Sequence, residues 1–286
     1  MLKNKFFITE KNIEEYVQHL KNEERAASTV EKYQSIIRKF ADFLDGTEIT
    51  KEAAIKWENK LLETLAATSV NIMLAAINGF FEFIAVPIKM KLLKIQRNPF
   101  LSKEKELTQK EYKRLLETAK NQGNERIYNV LQTICSTGIR VSELKFITVE
   151  AVKSEYAEVR NKGKIRVIFI PRDLKRILLK YAKTHGITSG SIFVTKNGKP
   201  LDRSNIWSEM KKLCKQAGVD KSKVFPHALR KLFARTFYSK DKDIMRLADS
   251  LGHSDVKTTR IYIMDTGSEH RRIINSLGLV IPIYGT

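Results

Sequence analysis

The 286-residue sequence predicts a mainly α-helical protein with one small β-sheet, built as an N-terminal helical bundle followed by a mixed α+β domain. Three observations predict it. Apolar residues recur at helical spacing through most of the chain, and 42% of residues are hydrophobic, enough to fill proper cores. A polar, charged stretch with an internal proline, "KIQRNPFLSKEKEL" at residues 94–107, divides the chain. One β-rich pair of runs, "EYAEVRNKGKIRVIFIP", stands out in the second part.

The first part, residues 1–93, reads as four helices. "TEKNIEEYVQHL" places Ile13, Tyr16, Val17 and Leu20 on one stripe. "STVEKYQSIIRKFADFL" opens with Ser28 and Glu31, the spacing of a capping box, and then aligns Val30, Tyr33, Ile36, Ile37, Phe40 and Phe43. "TKEAAIKWENKLLETL" and "TSVNIMLAAINGFFEFI" complete the set, which stops at Pro87. Residues 94–107 read as a linker.

The second domain, residues 108–286, begins at a second capping-box pair, Thr108 and Glu111, and its opening helices run to about Cys135. "STGIRVSEL" breaks the helix at Gly138 and restarts it. The two β-rich runs flank Asn161-Lys162-Gly163, which predicts a hairpin with a lysine at its tip. "SIFVTKNGKP" is expected to add another strand with an Asn-Gly turn. "DRSNIWSEMKKLCKQAG" predicts a helix ending at Gly218. "PHALRKLFARTFY", "KDIMRLADSLG", the short run up to Tyr262 and "SEHRRIINSLG", a helix from Ser268 to Leu277 stopped by Gly278, finish the chain.

Composition bounds the function. No run of eighteen apolar residues spans a membrane, and the N-terminus carries no secretory signal. Cys135 and Cys214 stand alone, as reduced thiols do in a cytoplasmic protein. The net charge is +20, which calls for a polyanionic partner. It is concentrated: residues 1–100 hold 15 basic and 13 acidic side chains, the remaining 186 hold 37 and 19. No Lys-rich amphipathic anchor points to a membrane surface, so nucleic acid is the expected partner.

Five features of the second domain carry chemistry. Arg140 follows a glycine break, Lys162 sits on the hairpin tip, His227 and Arg230 share the first turn of a helix, His253 follows Gly252 at a helix end, and Tyr262 closes the next short helix. Each has an ordinary reading: a surface arginine, a solvated lysine, a capping histidine, a core tyrosine. Together they suit one reaction on a phosphodiester. Two arginines can clamp the non-bridging oxygens with planar donors that stay charged. A deprotonated tyrosine is a competent nucleophile. One histidine can take its proton, a lysine can protonate the leaving alkoxide, and the second histidine can hydrogen-bond the phosphate in the transition state. No cluster of Asp and Glu marks a metal site, and no metal or cofactor is expected.

"STGIRVSEL", a hairpin lysine, "HALR" and "LGHSDVKTTRIY", in that order, resemble the tyrosine recombinase/integrase family over nearly the whole chain. The resemblance implies a core-binding domain that contacts DNA over residues 1–93 and a catalytic domain over 108–286, closing around a duplex. It assigns Arg140, Lys162, His227, Arg230, His253 and Tyr262 to the six catalytic positions, with Lys164 competing with Lys162 as general acid. It departs at Lys231, where the family usually has a second histidine after the arginine. It implies strand cleavage through a 3′-phosphotyrosyl link, double-stranded DNA with inverted-repeat sites, and a homotetramer on two sites coupled through the C-terminal segment. The short stretch ahead of the first helix resembles the minimal, Xer-like layout. Major-groove contacts are expected from Arg203, Ser204, Asn205 and Lys211, beside the ordinary reading of Ser204 or Asp202 as a helix cap. A type IB topoisomerase and a non-catalytic DNA-binding factor are the alternatives.

Overall fold

The computed structural model describes residues 5–95, 106–161, 164–195, 197–263 and 274–277. The chain divides into two compact units, Met1–Arg97 and Asn98–Thr286. Both are predominantly helical, and the sheet among the described residues is one two-stranded hairpin.

The first unit holds α1 (Glu10–Asn22), α2 (Ala27–Leu44), α3 (Lys51–Thr64) and α4 (Ala67–Phe83). Thr9 caps α1 by accepting from the Asn12 N–H at 3.2 Å, and the Asn12 side chain answers by accepting from the Thr9 N–H. The expected Ser28–Glu31 box does not form. Helix α2 starts at Ala27 behind Ala26, so Ser28 lies inside the first turn rather than ahead of it. The apolar stripes meet in a core around Ile37, Phe40, Val70, Ile77, Phe80 and Phe81. Gly79 lets Tyr16 reach this core: a Cβ there would lie 2.7 Å from the Tyr16 hydroxyl. Beyond α4 the chain runs back along the helix, held by two asparagines. The Asn78 amide bonds both backbone groups of Met90 at 2.7 and 2.8 Å, and Asn71 does the same for Leu93 at 2.8 and 2.9 Å. These bonds satisfy backbone groups that have no helix or sheet partner.

The second unit begins with α5 (Gln109–Asn121), capped by the expected Thr108–Glu111 box, and α6 (Glu125–Thr137). A 3-10 segment (Val141–Phe146) and α7 (Val149–Ser154) lead into β1 (Tyr156–Asn161) and β2 (Lys164–Phe169). Then come α8 (Arg172–Thr184), α9 (Arg203–Ala217), α10 (Pro226–Lys240), α11 (Ile244–Leu251) and α12 (Val256–Ile263). Helices α7 and α8 are absent from the sequence reading, although α8 is amphipathic, burying Leu174, Leu178, Tyr181 and Ala182. The hairpin is antiparallel and pairs Tyr156 with Phe169 through to Asn161 with Lys164. Its tip residues, Lys162 and Gly163, lie outside the described residues.

The strand expected at "SIFVTKNGKP" reduces to isolated bridges, Thr148 with Ser191 and Val194 with Pro200. The second bridge closes a tight turn: Thr195 N–H donates to Lys199 O at 2.7 Å, and Gly198 N–H donates to Thr195 O at 3.0 Å. Of the expected tail helix, residues 274–277 are described, in a helical turn with Ile274 and Leu277 exposed, and the rest lies outside the described residues. Among the described residues no helix is long and apolar enough to cross a membrane.

Candidate active site

Helix α6 ends at Gly138, whose φ of +65° is a left-handed stop. A side chain there would also strike Phe233, at 2.5 Å from its Cβ. The stop turns Arg140 back toward α11. The Arg140 N–H and Nη1 donate to the two oxygens of Glu143 at 3.0 Å each, and Nη2 donates to Gly252 O at 3.2 Å. The Arg140 side chain keeps 36% of its surface open to solvent.

Pro226 opens α10 and places His227 and Arg230 on its first turn. Arg230 is 1% exposed. Taking a lone guanidinium out of water costs several kcal/mol, so it must be bonded. Its Nη1 donates to Gly138 O, and its Nη2 donates to Leu251 O at 2.5 Å and lies 3.1 Å from His253 Nε2. Arginine has no acceptor, so that Nε2 presents its lone pair and the ring proton sits on Nδ1. Nδ1 in turn donates to the hydroxyl of the fully buried Thr259, at 2.9 Å. Helix α12 thus sets the tautomer of His253 and, one turn later, positions Tyr262.

Tyr262 is 6% exposed and belongs to a small apolar cluster with Ala234, Leu247 and Leu251. Its ring edge faces chemistry rather than core. The hydroxyl lies 3.4 Å from His227 Nδ1, the His227 and His253 rings stand 4.9 and 5.0 Å from the phenol ring, and the Arg230 guanidinium is 5.9 Å from its centre.

The crowding of positive charge shapes the titration of the site. Burial, reinforced by Arg230, Arg140 and Arg166, pulls His253 down to about 4. His227 keeps an exposed edge, yet the partial burial of its ring and the charges of Lys231, Arg230, Arg140 and Arg203 hold it below the ordinary histidine value. Burial, then Arg140 and Arg166, lowers Arg230 to about 10, where it is still charged at neutral pH. Burial works against ionising Glu143, but the Arg166 charge and the bonds from Arg140 outweigh it and keep it a carboxylate.

The structure therefore brings together Arg140, His227, Arg230, His253 and Tyr262. Lys162 lies outside the described residues, as does the side chain of Lys164. Arg203, Ser204 and Asn205 lie exposed on the first turn of α9, and the cap is Asp202, which accepts from the Asn205 N–H at 2.9 Å. Arg203 is near enough to act on His227. Lys211 bonds back to Lys221 O and lies 5.1 Å over the exposed ring of Trp207. Three participants escape the sequence reading: Glu143, Arg166 and Thr259. The first had a signal, a carboxylate three residues after Arg140 in "GIRVSEL". Arg166 had another, a charge on the inward row it shares with Ile168 and Ile170.

Beside the cluster opens a cavity of about 1140 Å³. Arg140, Arg166 and His253 line it together with Phe169, Phe233 and Phe237.

In the free protein the His253 imidazole is expected to stay neutral well below pH 6. Its lowered pKa means that the folded state binds the proton later than the unfolded chain does. A histidine ring NMR titration should give a midpoint near 4. A midpoint at or above 6.5, the ordinary value, contradicts the charge-crowded site.

Residues 105–269 match the phage integrase family, and residues 13–85 match the phage integrase N-terminal SAM-like domain. The chain is 31% identical over 283 residues to tyrosine recombinase XerA of Pyrococcus horikoshii, covering 96% of this chain and 95% of that protein. It is 28% identical over 276 residues to tyrosine recombinase XerC of Roseiflexus castenholzii, covering 87% of each. Its fold is similar to the crystal structure of a lambda integrase dimer bound to a COC′ core site, with a TM-score of 0.75 and 18% identity over 98% of this chain and 81% of that one. Carrying both domains of the family and aligning end to end with one of its recombinases, the chain belongs to the phage integrase family of tyrosine recombinases.

Proposed function

We propose that this recombinase cuts and rejoins DNA strands at defined sites, with Tyr262 as nucleophile. The observation that carries the reading is the setting of the Tyr262 hydroxyl, 3.4 Å from a histidine held below its ordinary pKa and beside the almost wholly buried Arg230, which in turn feels the charge of Arg140. Arg140 and Arg230 take the non-bridging oxygens of the scissile phosphate. His227 accepts the phenolic proton as Tyr262 Oη attacks phosphorus. The bond from phosphorus to the 5′-oxygen breaks, leaving a 3′-phosphotyrosyl link, and Lys162 protonates the departing oxygen. The hydroxyl of a partner strand reverses the step, so the phosphodiester energy is conserved. His253 enters as phosphate binds. The anion offsets the arginine charges that depress its pKa, the ring gains a proton, and Nε2 becomes a donor.

The partner is double-stranded DNA with inverted-repeat sites, gripped by the basic second unit and read in part by Arg203, Ser204, Asn205 and Lys211 on α9. Trp207, exposed on the same helix, adds a stacking surface. Residues 1–93 serve as the core-binding domain, 94–107 as the linker and 108–286 as the catalytic domain. The two free thiols, Cys135 and Cys214, suit a reducing cytoplasm. A simple binding factor has no use for a buried Arg230 trained on a tyrosine. The end-to-end match to recombinases disfavours a relaxing topoisomerase.

A nicked suicide substrate tests the chemistry. Wild type should accumulate a covalent adduct, and Tyr262→Phe should bind but form none; an adduct from the Phe variant refutes the assignment. Lys162→Ala should cleave slowly, and a 5′-bridging sulfur should restore the rate, because a thiolate leaves without a proton. Rescue of Lys164→Ala alone moves the acid to Lys164.

The active assembly is proposed as a homotetramer in which the C-terminal segment of each protomer reaches the next in a closed ring. The exposed apolar row Ile165, Val167 and Phe169 on β2, with Phe169 78% exposed, offers the receiving surface. Truncation after residue 266 should leave single-site binding intact and reduce cooperative assembly and recombination. Normal assembly by the truncated protein removes the tail as connector.

A further inference from the structure

We propose that Arg166, on β2, is a positioning residue for the reaction: it holds the Arg140 guanidinium in place through the carboxylate of Glu143. The inference rests on the reading of Arg140 as a phosphate clamp.

Glu143 is a shared ligand. Its Oε1 accepts from Arg140 Nη1 at 3.0 Å, and its Oε2 accepts from Arg166 Nη2. The side chains of Glu143 and Arg166 are 3% and 12% exposed, against 36% for Arg140. The buried pair therefore backs the one arginine that keeps an open face. Arg166 is fixed in turn at its other terminal nitrogen, where Nη1 donates to Ser250 O at 3.2 Å. Both terminal nitrogens are thus engaged by the protein, and the one on Glu143 links Arg166 to the Arg140 guanidinium.

The fit leaves no slack. A Cβ on Gly252 would lie 2.3 Å from Arg166 Cδ, so the absence of a side chain at 252 is what allows the guanidinium to pass. That same glycine carries the carbonyl that receives Arg140 and precedes His253. A buried Arg–Glu pair is a poor source of stability compared with apolar packing. Its placement behind a half-exposed arginine is explained by geometry. Freed from Arg166, the Glu143 carboxylate could rotate, and Arg140 would follow it. A displacement of about 1 Å in a positioned group costs on the order of 100-fold in rate.

The test separates positioning from folding. A methylphosphonate at the scissile position removes the negative charge that the arginine clamp answers. Single-turnover cleavage is measured for each variant as a ratio to wild type on the normal and on the neutral substrate. On the normal substrate Arg166→Gln should fall on the order of 100-fold, and Arg166→Lys, which keeps charge but cannot span both acceptors, by less. On the methylphosphonate both deficits should shrink by about tenfold or more, as should that of Arg140→Ala. Gly252→Ala, which displaces Arg166 from the other side, should show the same pattern. Relief of Arg140→Ala without relief of the Arg166 variants overturns this inference and leaves the clamp standing. No relief of Arg140→Ala overturns the clamp and this inference with it. A normal cleavage rate in Arg166→Gln also overturns it. Should Arg166→Gln fail to fold, Arg166→Lys carries the comparison.

Discussion

Three guanidinium groups meet at the end of one short helix. The carbonyls of Ser250, Leu251 and Gly252 are consecutive, and each accepts from a different arginine: Arg166, Arg230 and Arg140 in turn. The arginines come from β2, from α10 and from the turn after α6, so this contact ties together three separate parts of the unit. Like charges gather here because the helix presents its negative end, with carbonyls that have no partner inside α11. Glu143 supplies a carboxylate bonded by two of the three. The left-handed glycines serve the same junction. Gly138 turns the chain so that its carbonyl meets Arg230, and Gly252 leaves room for Arg166.

This junction explains the protonation of the site. Burial, reinforced by positive charge held in place by backbone groups, depresses both histidines, so the free protein holds neutral imidazoles around a tyrosine hydroxyl. Arg230 occupies His253 Nε2, and Thr259 takes the other ring proton. The Nε atoms of Arg166 and Arg230 have no hydrogen-bond partner among the described residues. On the proposed reading the arrangement is a preorganised anion site: donors and charge are aimed before the phosphate arrives, and little reorganisation is left for the reaction.

Much of this was legible in the sequence because the relevant signals are local. Helical stripes predicted the bundle, the Lys-Gly tip predicted the hairpin, and Thr108–Glu111 predicted a cap that forms. Ser28–Glu31 has the same spacing and does not cap, because spacing alone does not say which residue precedes the first turn. The strand expected near residue 194 shortens to a bridge, because Pro200 opposite Val194 has no N–H with which to extend a ladder. Of the six residues that the motifs single out, the structure brings five together, and Lys162 lies outside the described residues. Arg166 and Thr259 were not found, since each matters only through a partner far away in sequence, Ser250 with Glu143 for one and His253 for the other. The ordinary reading of Tyr262, a core tyrosine, is half right: the ring is buried, but its hydroxyl faces His227.

On the proposed reading these arginines and histidines form a binding site for one phosphodiester, placed in line with Tyr262. A crystal structure of the Tyr262→Phe protein with a duplex carrying its recombination site tests it most directly. The expected result is a phosphate whose non-bridging oxygens lie within about 3.2 Å of Arg140 and Arg230 nitrogens, with the residue 262 ring edge opposite the 5′-oxygen. A duplex bound with its nearest phosphate out of reach of both arginines would contradict it.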